Sequence, residues 1–167
     1  LKEAREKINS IYISNAENAI SEIGTVSESS VDAILNARKA YDAVPSFVKK
    51  SVKNYDQLQS AESLYRETYI KPVENAINLI DSKVGYSSGY DISQARSAYD
   101  SLSETAKGLV CNYALLTKAE NDFLMLDVNY VIALIDKIGT VNYGSKSAIE
   151  SARNAMDLLD EEERGLV

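Results

Sequence analysis

Histidine and tryptophan are absent from this chain of 167 residues, and cysteine occurs once. Without histidine the commonest general base and metal ligand near neutral pH is missing. Ser-His-Asp and Cys-His nucleophile schemes are thereby excluded, as are the usual zinc sites. Cys111 by itself forms no internal disulfide. It reads as incidental, with a reactive thiol as the alternative. A basic surplus is also lacking, since 25 Asp and Glu face 18 Lys and Arg, for a net charge of −7. A nucleic-acid partner needs a Lys/Arg surface to displace counterions, so none is expected, and the same balance disfavours an anionic membrane surface. No apolar run approaches the ~20 residues of a bilayer crossing. No secretory leader is visible either: the chain opens inside a charged helical pattern, Leu1–Lys7, as expected of a piece of something longer.

What is present is an ordinary globular composition, 45% hydrophobic and 26% charged, with an internal repeat of about 58 residues. Ala37-Arg38-Lys39-Ala40-Tyr41-Asp42 returns as Ala95-Arg96-Ser97-Ala98-Tyr99-Asp100 and as Ala152-Arg153-Asn154-Ala155-Met156-Asp157. Leu1, Leu58 and Leu116 correspond, as do Ile20, Ile77 and Ile135. Ile23-Gly24-Thr25-Val26 reappears at 138–141, Asn54-Tyr55 at Asn112-Tyr113, and Ala61-Glu62 at Ala119-Glu120. In this register Lys53 occupies the position of Cys111. One residue is inserted in the second copy between Ile80 and Val84. The copies divide the chain at 1–57, 58–115 and 116–167.

Each copy reads as one long helix and two short ones. The long helices are expected near Leu1–Ile23, Asn54–Asp81 and Asn112–Ile138. Ile8, Ile13, Ala16, Ile20 and Ile23 form an apolar stripe with one slip. Gly24 and Gly139 stand where a left-handed residue stops a helix. Ser30, Ser88 and Ser145, all in register, are expected as N-caps of the second helix. That helix presents Ile34, Ala37, Tyr41 and Val44 as core, then Ile92, Ala95, Tyr99 and Leu102, then Ile149, Ala152, Met156 and Leu159. A third helix is expected after Val44, Leu102 and Leu159. Pro45 suits its start, Asp160 and Glu163 form a capping box, and Val52, Leu109–Val110 and Leu166–Val167 point inward. Pro72, inside a long helix, predicts a bend near Tyr69–Pro72. The first half of each long helix is expected to close the preceding copy and the second half to open the next. The predicted fold is therefore all-α: tandem three-helix-bundle repeats joined through long shared helices, elongated. The last copy lacks its closing helix and should be the least stable.

Few features carry chemistry. The run Asp160-Glu161-Glu162-Glu163 suits a helix N-terminus and a solvated face better than a pair of catalytic acids. Residues 81–86 lack the alternating ligands of an EF-hand and put Lys83 where an oxygen is needed, which leaves a looser calcium site as the alternative. No cofactor and no metal site are expected. Arg38, Arg96 and Arg153 each stand four residues before an aspartate. They read as intrahelical pairs or as braces to a glutamate such as Glu62 or Glu120, with a recurring docking surface as the alternative. The loop Gly85-Tyr86-Ser87-Ser88-Gly89-Tyr90-Asp91, echoed at Tyr143-Gly144, has the composition of a binding loop. Tyrosines covering a bundle end are the competing reading. The candidate partner-binding residues are Tyr86, Tyr90, Tyr143, Arg38, Arg96 and Arg153.

The blocks Ile135-Asp-Lys-Ile-Gly-Thr-Val141, Ser147-Ala-Ile-Glu-Ser-Ala-Arg153 and Leu159-Asp-Glu-Glu-Glu-Arg-Gly-Leu-Val167 together resemble tandem helical modules of large secreted and cell-wall-attached proteins of Gram-positive bacteria. Such modules often flank glycoside hydrolase, peptidase or adhesin domains. The resemblance covers essentially the whole chain, and the second copy departs from it at 80–90. It implies an extracellular setting and no catalytic residues. The expected function is a non-catalytic spacer or interaction scaffold at a bacterial surface. The alternative is a module that binds a host protein or glycan. The pattern specifies no oligomeric state.

Overall fold

Long amphipathic stripes interrupted by glycine, serine and proline leave the backbone little choice but helix. In the computed structural model, which describes residues 2–167, the chain is all-helical, with no strand among the described residues. Helix α1 spans Lys2–Glu22, α2 Val31–Asp42, α3 Tyr55–Tyr65 and α4 Lys71–Asn78. Helix α5 spans Gly89–Asp100, α6 Glu104–Lys107, α7 Tyr113–Asp136, α8 Lys146–Leu158 and α9 Glu161–Arg164. The three long helices thus begin and end within a few residues of their expected limits. Gly24 and Gly139, at φ of 60° and 54°, take the left-handed conformation beyond α1 and α7, where a side chain would be strained.

The apolar stripe explains an irregularity in the second long helix. Tyr65 and Ile70 are both buried although five residues apart, and a π turn over Arg66–Ile70 joins α3 to α4 between them. Lys71 N–H donates to the Arg66 carbonyl, five residues back. A π turn carries one residue more per turn than an α-helix, which keeps both side chains on the inner face. It also gives Pro72 a place, because proline brings no N–H and crowds the carbonyl four residues before it in a regular helix. Near Tyr69–Pro72, where a bend is expected, the helix passes through this turn and does not restart.

Two local expectations are corrected. Ser30, Ser88 and Ser145 immediately precede or open their helices, yet none of the three side chains caps one. Each is buried and accepts a hydrogen bond from a backbone N–H three residues upstream. The donors are Ser27 at 2.9 Å, Gly85 at 3.1 Å and Asn142 at 3.0 Å. The backbone N–H of each serine returns to the carbonyl of the same upstream residue, so the entry to the helix is a closed turn. Pro45, expected to start a helix, does not. Successive turn bonds link Val48 to Pro45, Ser51 to Val48 and Val52 to Lys49, and the third helix expected after Val44 is a short 3-10 helix over Lys49–Ser51. In the other copies the matching position is Ser103, which accepts from Ala106 N–H, and Asp160, which accepts from Glu163 N–H. Proline has no acceptor to offer at that cap position. The Asp160–Glu163 capping box forms in both directions, at 2.8 and 2.9 Å.

The helices group into two units. One comprises residues up to Asn75 with Ser97–Cys111, the other Ala76–Arg96 with Asn112–Val167. In the first, α1 packs on α2 and α3, and Ala16, Ile20, Ile34, Ala37, Val44 and Leu58 are buried. In the second, α7 packs on α8 and α9, and Ile92, Leu116, Val128, Val131, Ala152 and Leu159 are buried. The seams fall inside α4, inside α5 and just ahead of α7, so they do not coincide with the repeat limits at 57 and 115.

Candidate functional site

The arginines of the repeated Ala-Arg motif are held by acids 24 residues further on. Arg38 Nε donates to Glu62 Oε1 at 2.6 Å and its Nη2 to Oε2 at 2.5 Å. Arg96 makes the same fork with Glu120 at 2.7 and 2.6 Å. Two parallel charge-assisted bonds are the strong form of an ion pair, and the partners are only about 30% exposed. Arg38 also lies over the rings of Tyr41 and Tyr55, whose centroids are 4.1 Å apart in a stack. Arg96 likewise lies over Tyr113. The hydrogen bond to Glu62 holds the Arg38 pKa above its ordinary value. Asp42, the intrahelical candidate, is farther away at 3.8 Å. Arg38 and Arg96 therefore brace the fold. Arg153 is exposed and makes no ion pair among the described residues.

A second recurring brace has no counterpart in the sequence reading. Glu17 accepts from Lys53 N–H at 2.9 Å, and Glu74, in the equivalent place, accepts from Cys111 N–H at 3.1 Å. Glu74 also takes two bonds from Arg66, at 3.1 and 3.0 Å. Bonds from the Cys111 side chain and backbone, with Arg66 adding to them, outweigh burial and hold the Glu74 carboxyl below its ordinary range. The neighbouring asparagines complete the motif. Asn54 donates to the Glu17 carbonyl at 2.9 Å and Asn112 to Asn78 at 2.9 Å. The available signal was a glutamate at the same register position in two copies, replaced by Ile132 in the third.

The tyrosine loop separates into three different situations. Tyr86 donates its hydroxyl to Asp127 of α7 at 2.6 Å while most of its ring stays exposed. That bond to Asp127 raises the Tyr86 pKa. Tyr90 is 73% exposed, and Tyr143 projects fully into solvent. Gly89, which starts α5, leaves room for the Phe123 ring, since a Cβ there would come within 2.9 Å of it.

Tyr86 and Asp127 line two open hollows of the second unit. One, of about 430 Å³, is lined by Tyr130 and Val131 of α7 and by Ala155, Leu158 and Leu159. The other, of about 330 Å³, is lined by Ile92, Phe123, Leu124, Glu120 and Glu163. Tyr90 and Tyr143 line neither. Asp127, Tyr130 and Leu158 were missed in the sequence because nothing local marks them. Their association depends on α7, α8 and the loop at 85–88 meeting. Glu120 and Glu163 at the hollow are already engaged by Arg96 and by Asp160 N–H. The arrangement offers exposed rings for stacking and one hydroxyl–carboxylate pair.

Among the described residues no cluster of three or more acids or thiols could hold a metal ion, and no described helix is long and apolar enough to cross a membrane. Compared with protein-family models, with curated proteins and with solved structures, the chain matches none.

Proposed function

We propose that this chain is a non-catalytic helical repeat region, a spacer and interaction scaffold within an extracellular, cell-surface multidomain protein. Its modules are 1–57, 58–115 and 116–167. In the first two, the second half of a long helix packs with two shorter segments, and the first half of the next long helix closes the module. One observation carries the reading. The Arg–Glu fork recurs at the same 24-residue interval on equivalent helices of two copies, which supports a repeat of tertiary interactions alongside that of sequence. Units that each depend on a neighbour to bury their open side extend as copies are added. The resemblance to Gram-positive surface modules supports the setting. Small-angle X-ray scattering on the purified chain tests the layout. An elongated particle is expected, and a radius of gyration near the ~15 Å of a compact domain of this length would count against it.

A second reading rests on the exposed Tyr86–Asp127 pair with Tyr130 and Leu158: a module that binds a host protein or glycan. Immobilised mucin glycans and serum proteins are the probes. Binding that disappears in Tyr86→Ala would favour adhesion over spacing.

A further inference from the structure

The face made by α8, α9 and the last residues repeats one that is covered elsewhere in the chain. On α2 the guanidinium of Arg38 is taken by Glu62 of α3, and on α5 that of Arg96 is taken by Glu120 of α7. Each acid lies eight residues after the asparagine that opens its segment, Asn54 or Asn112. A fully buried leucine, Leu58 or Leu116, stands between. Arg153 occupies the same place on α8 and makes no ion pair among the described residues. Apolar positions agree with this. Ile34 and Ile92 are buried where Ile149 is half-exposed.

We propose that this face is a docking site for an amphipathic helix of the α3 and α7 kind, whose glutamate takes Arg153 in a bidentate pair. The two covered copies define the occupant: Asn-Tyr, then leucine four residues after the asparagine, then Ala-Glu at seven and eight. Charge narrows it further. Helix α1 carries Arg5 at the register position of Glu62 and Glu120, so head-to-tail pairing of two chains through α1 sets Arg5 against Arg153. The partner is a helix with an acid there, and a second copy of this chain docking through α1 is disfavoured.

The full chain is titrated against a fluorescein-labelled peptide of residues 54–78, followed by anisotropy. Saturable binding is expected, weakened about tenfold or more by Arg153→Glu in the chain, as suits a bidentate charged pair. Glu62→Arg in the peptide should weaken binding to the unchanged chain by a similar factor and restore binding to the Arg153→Glu chain. Because Arg153 is exposed, circular dichroism should show the same thermal transition in both chains. No binding up to millimolar peptide overturns the proposal. So does affinity indifferent to Arg153→Glu, which means the peptide lodges elsewhere, or a charge swap that fails to recover it. The inference rests on the repeat register of the proposed scaffold. Scattering reports on shape and the peptide on this one face, so either can fail while the other stands.

Discussion

Among single residues, the arginine forks carry the most specific interaction in the chain. Arg96 and Glu120 exclude part of the solvent from each other and share two short bonds, an arrangement stronger than an exposed surface pair. Arg96→Ala leaves Glu120 without its partner and removes the contact with Tyr113. A loss of about 1–3 kcal/mol in urea-unfolding stability is expected. Arg153→Ala should cost less than about 0.5 kcal/mol, because an exposed side chain away from specific contacts rarely matters more.

Glu74 supplies a pH dependence. Its carboxyl is held below the ordinary glutamate range in the folded chain, so the folded state prefers it ionised more strongly than the unfolded state does. Its stabilising contribution is complete above the ordinary carboxylate range and is lost as pH falls through the lowered folded value. Urea midpoints measured from pH 6 downward should fall less steeply for Glu74→Gln than for the unchanged chain. Parallel curves would mean that the Cys111 and Arg66 bonds do not distinguish the two protonation states.

At the scale of elements, the connections differ more than the helices they join. The third segment of the first copy is reduced to tight turns and a 3-10 helix over Lys49–Ser51 because Pro45 stands where Ser103 and Asp160 provide a cap. Pro45→Ser should therefore lengthen that segment into a helical turn. A capping oxygen is worth about 1 kcal/mol against a residue without one, though the more flexible unfolded chain offsets part of it. A melting temperature that rises, with added helical ellipticity, is the expected result, and a fall would refute the capping argument. The opposite change, Gly24→Ala, forces a side chain into the left-handed region at φ of 60° and should cost about 1 kcal/mol.

In the whole molecule, burial is uneven among equivalent positions. The α8–α9 face leaves Ile149 and Arg153 more exposed than their counterparts. Local opening is easiest where few apolar contacts hold an element. Amide hydrogen exchange should accordingly be faster in α8 and α9 than in α2, whose Ile34 and Ala37 are buried. Equal protection in α2 and α8 would contradict this.

Helical class, the long-helix limits, the two left-handed glycines and the Asp160–Glu163 box were legible from the chain alone, because each depends on residues within a turn or two. The alternatives left for Arg38 and Arg96 were resolved by partners 24 residues away, and the Glu17 and Glu74 braces by partners 36 and 37 residues away. The true role of the repeated serines depended on the turn in front of them, which hydrophobic spacing does not describe. The Tyr86–Asp127 pair spans 41 residues and joins surfaces that no short window contains. Local hydrogen bonding and apolar periodicity thus determined which segments are helices. Which charged and aromatic side chains meet was decided only by packing, since that depends on how separate helices are brought face to face.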